Sequence, residues 1–442
     1  MENGDVTAEA TERRGTRTFL IIWAGQLVSL IGSGLTSFAL GVYIYEQTGA
    51  ATQLALSLVA ASLPNLILLP FAGALVDRWD RRRVLVLSDT GAAVVTLSIW
   101  ALLATGRLEV WHIYVANAIT SALGAFQRPA YMAVPSLLVP KEQFGRVSGL
   151  MQLADSASSI VAPLAAGFLI ATIRIQGVLL IDLATFLFAV LTLLAIRIPR
   201  PSPQSGAAAK RGSLLRQAAF GWRYIRARAG LWGMLVLAAI ANFALGFYSA
   251  LLTPLVLSRF SAQVLGALIS VSGFGMLAGS LVMSAWGGTR RKIFTVLVAL
   301  SLSGLALAAV GLRPNVLLMG AGNVIFFALV PIANAASQAI WLAKVAPDVQ
   351  GRVFATRMMI GSAITPLAYL LAGPLADRVA EPVMAEGGAL AGTLGWVLEA
   401  GPGRGYGLII VVTGLVVAIA PIVAALIRPI RRVDLDLPDA VS

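Results

Sequence analysis

Three ionisable side chains fall inside long apolar stretches of this sequence, and they are the first candidates for chemistry. They are Arg128, Asp155 and Asp182. A charge at the centre of a bilayer costs about 3 kcal/mol or more, so such residues usually serve ion or proton movement or neutralise each other. For Asp182, a solvated acid near a helix start is the alternative. Asp89 and Arg357 are predicted to lie near the inner membrane surface, where water can reach them.

Arg128 and Asp155 are predicted to form a pair. The turn between their two apolar stretches centres near residue 142, so they lie 14 and 13 positions from it. At about 1.5 Å per residue, both lie roughly 20 Å along their helices from the turn. A facing pair avoids leaving either charge alone at that depth. The pair either responds to a proton or a bound ligand, or it only locks the two helices together.

The composition indicates a membrane protein. Of 442 residues, 58% are hydrophobic and 12% are charged, whereas a soluble domain has about 25% charged residues. The net charge of +13 does not indicate nucleic-acid binding, because the arginines cluster in loops on one predicted side. The chain has no cysteine, one histidine (His112) and no phosphate-binding loop, so no metal site and no direct use of ATP are expected. No catalytic set or cofactor fingerprint is evident, so we expect neither an enzyme nor a cofactor.

Apolar runs of about 20 residues predict twelve transmembrane helices. The predicted spans are 18–45, 52–76, 84–105, 111–138, 147–171, 177–197, 231–257, 263–286, 293–311, 315–342, 353–376 and 406–428. They divide the chain into a tail (1–17), a six-helix bundle (18–197), a linker (198–230), a second six-helix bundle (231–428) and a final tail (429–442). The predicted fold class is therefore an all-α membrane protein.

The distribution of positive charge predicts the orientation of these spans. Loops assigned to one side carry clusters of basic residues, at 78–83 and 290–292, whereas loops on the other side carry single arginines such as Arg107. Positive loops resist translocation. Both tails and the linker are therefore predicted to be cytoplasmic, in a multi-pass protein of the cell membrane.

The linker and an internal repeat support the division into halves. Residues 214–225 place apolar side chains on one helical face and arginines on the other. This pattern predicts an amphipathic helix that either lies on the inner leaflet or acts as a strap between the halves. The tripeptide Gly-Arg-Val at 145–147 recurs at 351–353. Two six-helix halves related as repeats are an architecture of secondary transporters.

The loop between the second and third spans carries a recognisable motif. It reads Gly73-Ala-Leu-Val-Asp77-Arg78-Trp79-Asp80-Arg81-Arg82-Arg83. The pattern resembles the loop signature of the major facilitator superfamily, although Asp80 stands where a glycine is usual. The resemblance implies a conformational switch that consists of Gly73, Asp77, Arg78, Arg81 and Arg82. It also implies that Asp77 docks on the N-terminal end of the eleventh span, near residues 351–355.

Further stretches are similar to macrolide-efflux and siderophore (enterobactin)-exporter-like members of that superfamily. The most specific is Ala372-Gly-Pro-Leu-Ala-Asp377-Arg378. The resemblance implies the major facilitator fold of two pseudo-symmetric bundles, with spans one, four, seven and ten around a central cavity. The expected lining residues are Trp23, Gln26, Ser29, Asn117, Gln127, Asn242, Tyr248, Asn323, Asn334 and Gln338. Any one of the amides is alternatively an interhelical hydrogen-bonding group.

The fifth span contains Pro163 and Gly167, which resemble the Gly-Pro-rich motif of exporters. Proline removes a helical hydrogen bond and glycine permits close helix contact, so the two residues are predicted to form a hinge.

These features predict a secondary active transporter, a proton-coupled exporter of bulky amphipathic compounds such as a drug, macrolide or siderophore-like product. Its expected partners are membrane lipid, a small-molecule substrate and protons, with no nucleic acid and no ATP. The first alternative is an importer or lipid translocator on the same fold. The second is a non-transporting membrane sensor or assembly partner, although no loop is long enough to supply a sizeable soluble domain.

Overall fold

The computed structural model describes residues 2–76, 79–196 and 214–438, and every regular element within these ranges is helical. The first helices are α1 (Glu2–Thr48), α2 (Ala51–Val76), α3 (Arg81–Ala104), α4 (Val110–Met132), α5 (Pro135–Leu138) and α6 (Phe144–Ala195). The next are α7 (Leu214–Arg226), α8 (Ala229–Leu257), α9 (Ala262–Trp286), α10 (Lys292–Leu312), α11 (Val316–Lys344) and α12 (Pro347–Leu375). A π-helical turn (Ala376–Ala380) leads to α13 (Glu381–Met384), α14 (Ala391–Leu398), α15 (Arg404–Leu426), α16 (Arg428–Arg431) and α17 (Val433–Asp436).

Ten helices of the described chain are long and apolar enough to cross a membrane. One of them, α6, contains two predicted spans that meet at Arg174, where the backbone leaves the helical region (φ 60°, ψ 177°). Helix α4 is not among the ten, although it occupies most of the fourth predicted span. Counting both arms of α6 and adding α4 gives the twelve predicted helices. Because each helix satisfies its own backbone hydrogen bonds, this architecture suits a bilayer and confirms the all-α membrane fold.

The chain forms two compact units. The first consists of Met1–Gln47 and Leu56–Ala207, and the second of Thr48–Ala55 and Ala208–Ser442. The start of α2 therefore belongs to the second unit, and the rest of the helix to the first. The predicted tail at 1–17 is not separate from the first span, since α1 is helical from Glu2.

Apolar side chains of α1, α3 and α6 form the core at one end of the first unit. Phe19, Ile22, Leu85 and Leu193 are fully buried there. Helix α3 packs against both α4 and α6. It is therefore the central element of this unit, and polar residues on it can reach several neighbouring helices.

Two glycine pairs bring α10 and α15 into close contact in the second unit. A Cβ atom on Gly414 would lie 2.7 Å from the carbonyl oxygen of Gly304, and one on Gly407 would lie 2.7 Å from the carbonyl oxygen of Gly311. Small residues permit this approach, and the dispersion contacts of the two backbones stabilise the pair where the hydrophobic effect is weak. These helices provide a rigid frame for the unit.

The linker helix α7 packs on the second unit. Ile225 is fully buried in a cluster with Leu231 and Val353, and a Cβ atom on Gly221 would clash with the hydroxyl of Thr356. The expectation that the apolar face of this segment meets the lipid leaflet is therefore wrong at Ile225. Protein side chains bury that residue instead, because they offer closer packing than lipid chains.

Candidate functional site

An acid on α3, Asp89, lies at the centre of a buried polar cluster in the first unit. Its side chain is fully buried. Gln26 on α1 donates its Nε2 hydrogen to one carboxyl oxygen at 2.9 Å, and Gln127 on α4 donates to the other at 2.6 Å. Three helices therefore converge on a single carboxyl group whose hydrogen-bonding partners are neutral amides.

The prediction that Asp89 reaches water at the membrane surface is wrong. Gln26 and Gln127 were expected to line a substrate cavity, but their side-chain amides face Asp89. Sequence reasoning gave Asp89 a different role from the two amides, because the three residues lie on three different helices. The available signal was an acid and two amides in neighbouring apolar helices, where each polar group needs a partner.

A second acid, Asp182 on the second arm of α6, is buried among hydroxyl groups. It is 1% exposed, so it is not a solvated acid near a helix start. The hydroxyls of Thr36 on α1 and Thr96 on α3 donate to its Oδ2 at 2.7 and 3.4 Å. A Cβ atom on Gly32 would lie 2.8 Å from Asp182 Oδ1, so the glycine permits this close approach of α1.

Both buried acids are surrounded by neutral hydrogen-bonding groups. Among the described residues, no lysine, arginine or histidine nitrogen lies within 4.0 Å of either carboxyl. Neutral donors stabilise a carboxylate only in part, and a lone charge in an apolar interior is costly. Uptake of a proton by either carboxylate would remove that charge.

The pair predicted between α4 and α6 is present in the structure. Arg128 Nη2 lies 3.8 Å from Asp155 Oδ2, and the two side chains are 70% and 49% exposed. The long distance describes a loose ion pair. Whether the pair responds to a ligand or only joins the helices stays a prediction.

A polar cavity lies between α8, α11 and α12 in the second unit. Its volume is about 430 Å³, and its lining includes Asn242, Asn334, Gln338 and Arg357. Three of these residues were expected to line a cavity, and Arg357 was expected to reach water instead. The Arg357 side chain is half-buried, and its Nη1 donates to Gln338 Oε1 at 2.8 Å.

Most of the other predicted lining residues have partners on neighbouring helices. Trp23 donates its indole hydrogen to the Leu150 carbonyl at 2.7 Å, and Asn117 donates to the Ser57 hydroxyl at 2.8 Å. Tyr248 donates to Asn323 Oδ1 at 2.8 Å, and both are buried. Ser29 is also buried. For Tyr248, Asn323 and Ser29, exposure to a cavity is therefore wrong, because neighbouring helices cover these side chains.

Two arginines of the predicted switch loop join helix ends within the first unit. Arg81 Nη1 donates to the Ala133 carbonyl at the end of α4, at 2.7 Å. Arg82 donates to the Leu193 and Leu194 carbonyls at the end of α6, each at 2.8 Å. Cations at the carbonyl end of a helix are favourable.

The remaining switch and hinge residues are placed only in part. Gly73 is within α2. Asp77 and Arg78 lie outside the described residues, so the docking of Asp77 stays a prediction. Pro163 interrupts the first arm of α6, and Gly167, one turn later, is buried. That position is compatible with the predicted hinge and does not test its motion.

The sequence matches the family model of the Major Facilitator Superfamily over residues 22–368. The chain belongs to this superfamily. The match covers the clusters around Asp89 and Asp182 and most of the second unit. Superfamily members are transporters and not enzymes, in agreement with the sequence-based expectation.

This superfamily member is similar to drug-efflux proteins along nearly its whole length. It is 29% identical over 428 residues to Macrolide efflux protein A of Streptococcus pyogenes, covering 94% of this chain and 97% of the relative. It is 27% identical over 382 residues to the Multidrug efflux pump Tap of Mycolicibacterium fortuitum, covering 81% and 89%.

Solved structures show the same fold. A bacterial homologue of the human lysosomal transporter Spinster, in an inward-facing and unoccupied conformation, has a TM-score of 0.67 at 14% identity. The alignment covers 95% of this chain and 98% of that one. The nucleoside transporter NupG has a TM-score of 0.64 at 15% identity, with 92% and 98% covered.

Sequence reasoning missed one further polar cluster of this transporter, in the second unit. Asp377 accepts hydrogen bonds from the backbone nitrogens of Ala51 and Thr52, at 3.0 and 2.7 Å, and from the Thr52 hydroxyl at 2.6 Å. The Tyr406 hydroxyl donates to the same carboxylate at 3.3 Å. Asp377 was noted only as part of a family motif, because its partners Ala51 and Thr52 lie more than 300 positions away in the chain.

Proposed function

We propose that this protein is a proton-driven exporter of bulky amphipathic compounds and that it works by alternating access. The observation that carries the proposal is a pair of buried acids, Asp89 and Asp182, that have no counter-charge among the residues the structure describes. They occur in a chain 29% identical to a macrolide efflux protein over nearly its full length. The protein would lie in the cell membrane with both termini cytoplasmic.

The proton step follows from the surroundings of the acids. Protonation of Asp89 removes its charge and changes what its two amide partners can do, since a neutral carboxyl has one donor and fewer strong acceptor sites. The amides of Gln26 and Gln127 are then free to exchange partners, which lowers the energy of a rearrangement of α1, α3 and α4. Asp182 couples α1 to α3 and α6 in the same way.

The substrate class is inferred from the cavity in the second unit. A volume of about 430 Å³ suits a molecule of drug size. Its wall combines the amides of Asn242 and Asn334 with apolar residues such as Phe354 and Met358. A compound with one polar group on an apolar body fits such a surface better than an ion or a sugar does.

The test is transport by the purified protein in proteoliposomes with an imposed pH gradient, using a panel of anionic, neutral and cationic amphipathic compounds that includes a macrolide. Efflux that requires the gradient supports the proposal. Asp89→Asn and Asp182→Asn should each lower proton-driven efflux at least tenfold while counterflow of substrate continues. Glu142→Gln, which changes an exposed acid, is the matched control.

The other outcomes distinguish the alternatives. Gradient-driven uptake without efflux indicates an importer, and movement of labelled phospholipid indicates a lipid translocator. Specific binding with no flux of any compound indicates a sensor. Normal proton-driven efflux by both acid variants contradicts the assignment of proton binding to these residues.

A further inference from the structure

Arg357 on α12 lies where two cavities of the second unit adjoin. One cavity has a volume of about 480 Å³ and the other about 430 Å³. Asn334, Gln338 and Arg357 belong to the walls of both. A guanidinium at this position faces any molecule that occupies either cavity.

Neutral groups hold the guanidinium in place. Its Nη1 donates to Gln338 Oε1 at 2.8 Å, and its Nη2 lies 3.4 Å from the Ser337 hydroxyl. The carbon between the guanidinium nitrogens lies 5.0 Å from the centre of the Trp341 ring, which is itself buried. Contact with an aromatic face orients a guanidinium without neutralising it.

The charge on Arg357 therefore has no counter-charge in the described structure. Among the described residues, no carboxylate oxygen lies within 4.0 Å of this side chain. The lining of the two cavities contains no aspartate and no glutamate. A guanidinium has five N–H donors, and the two hydrogen bonds use two of them.

We infer that the Arg357 guanidinium, with the amides of Gln338 and Asn334, binds the anionic head of an amphipathic substrate. This inference rests on the proposed function and specifies its substrate class. A planar guanidinium forms charge-assisted, bidentate hydrogen bonds with a carboxylate or sulfonate. Leu235, Phe354 and Ile360 line the same cavity and would contact the apolar body. A cationic head would be repelled, and a neutral one would leave the charge of Arg357 uncompensated.

The test is equilibrium binding to purified protein in nanodiscs of neutral phosphatidylcholine, without any gradient. The probes are N-dansyl-phenylalanine, its methyl ester, and a dansyl compound of the same size with an ammonium group. Wild-type protein should bind the carboxylate at least about tenfold more tightly than the ester, the ratio expected for one charge-assisted hydrogen bond. The ammonium compound should bind most weakly.

Variants at Arg357 link the preference to this side chain. Arg357→Gln should lower carboxylate affinity about tenfold and leave ester affinity unchanged. Arg107→Gln, which removes an exposed positive charge, should change neither. If Arg357→Gln does not give folded protein, Arg357→Lys replaces it. Lysine keeps the charge without the planar fork, so the preference should then fall several-fold.

Equal binding of carboxylate and ester by wild-type protein overturns the inference, and so does an unchanged preference in the Arg357 variant. The binding assay needs no transport. A carboxylate preference without proton-driven flux therefore supports the anion site and contradicts the proposed exporter function. Proton-driven flux without the carboxylate preference supports the exporter function and contradicts the anion site.

Discussion

The contact between Asp377 and the start of α2 provides a sharp test of the structure. Helix α2 begins at Ala51, and the first N–H groups of a helix have no partner within it. The Asp377 carboxylate accepts from two of these N–H groups and from the Thr52 hydroxyl. Gly373 permits the approach, since a Cβ atom there would lie 2.5 Å from the Thr52 Cα.

Asp377→Asn removes the charge and one acceptor oxygen while keeping the size of the side chain. A negative charge at a partly buried helix N-terminus is worth up to about 2 kcal/mol. The asparagine amide would also place its own N–H group against the N–H donors of α2, so that donors on both sides would lack an acceptor. We therefore expect a loss of about 2 kcal/mol, or a fall in Tm of about 4–8 °C for a unit of this size.

The assay is thermal unfolding in detergent, followed by intrinsic fluorescence of the nine tryptophans. Glu386→Gln is the control, because it removes one exposed carboxylate from the following segment. Thr52→Val should cost less than Asp377→Asn, since the backbone donors of α2 remain. If Asp377→Asn unfolds at the same temperature as Glu386→Gln, the contact does not stabilise the second unit.

Three further predictions concern packing, charge pairing and orientation. Gly414→Ala should lower the free energy of unfolding by about 1–3 kcal/mol, because a methyl group there meets the backbone of α10. Gly392→Ala is the control, because Gly392 has open space around it, and equal Tm values for the two variants would contradict the packing. Arg128→Gln and Asp155→Asn should each lower efflux, and two fully active single variants would show that the ion pair has no role in transport. A double variant that transports with normal pH dependence would show that the pair is structural. Single cysteines at Arg107 and Gly392 should react with an impermeant thiol reagent in intact cells, and one at Glu142 should not; the reverse pattern would invert the predicted orientation.

Spacing along the chain was enough to predict local features of the first unit. Arg128 and Asp155 lie on either side of one turn, so counting residues from that turn gave their shared depth, and the side chains are in contact. The positions of the membrane helices could also be predicted from the sequence, because a transmembrane span needs a continuous apolar run whatever it packs against. The linker helix was also found, although Ile225 contacts protein where lipid was expected.

The roles of Asp89 and Arg357 could not be read in the same way. Both lie in membrane helices that are apolar on most sides, and such a helix has no single face that sequence marks as buried. Amides from α1 and α4 bind Asp89, and Arg357 lines a cavity. The side chains of Tyr248 and Asn323 were assigned to a cavity, whereas they bond to each other in the interior.

The sequence by itself determined the class of this protein. Its apolar runs, positively charged loops and repeated motifs can be read along the chain, because the thickness and orientation of a bilayer require the first two and the superfamily carries the third. Only the tertiary structure decided which polar groups meet. Ala51 and Thr52, which donate to Asp377, lie more than 300 residues away from it, and the partners of Asp89 lie on two other helices. Lipid gives no hydrophobic preference between the faces of a helix, so the close packing of small residues and the need to satisfy each buried polar group decide these contacts.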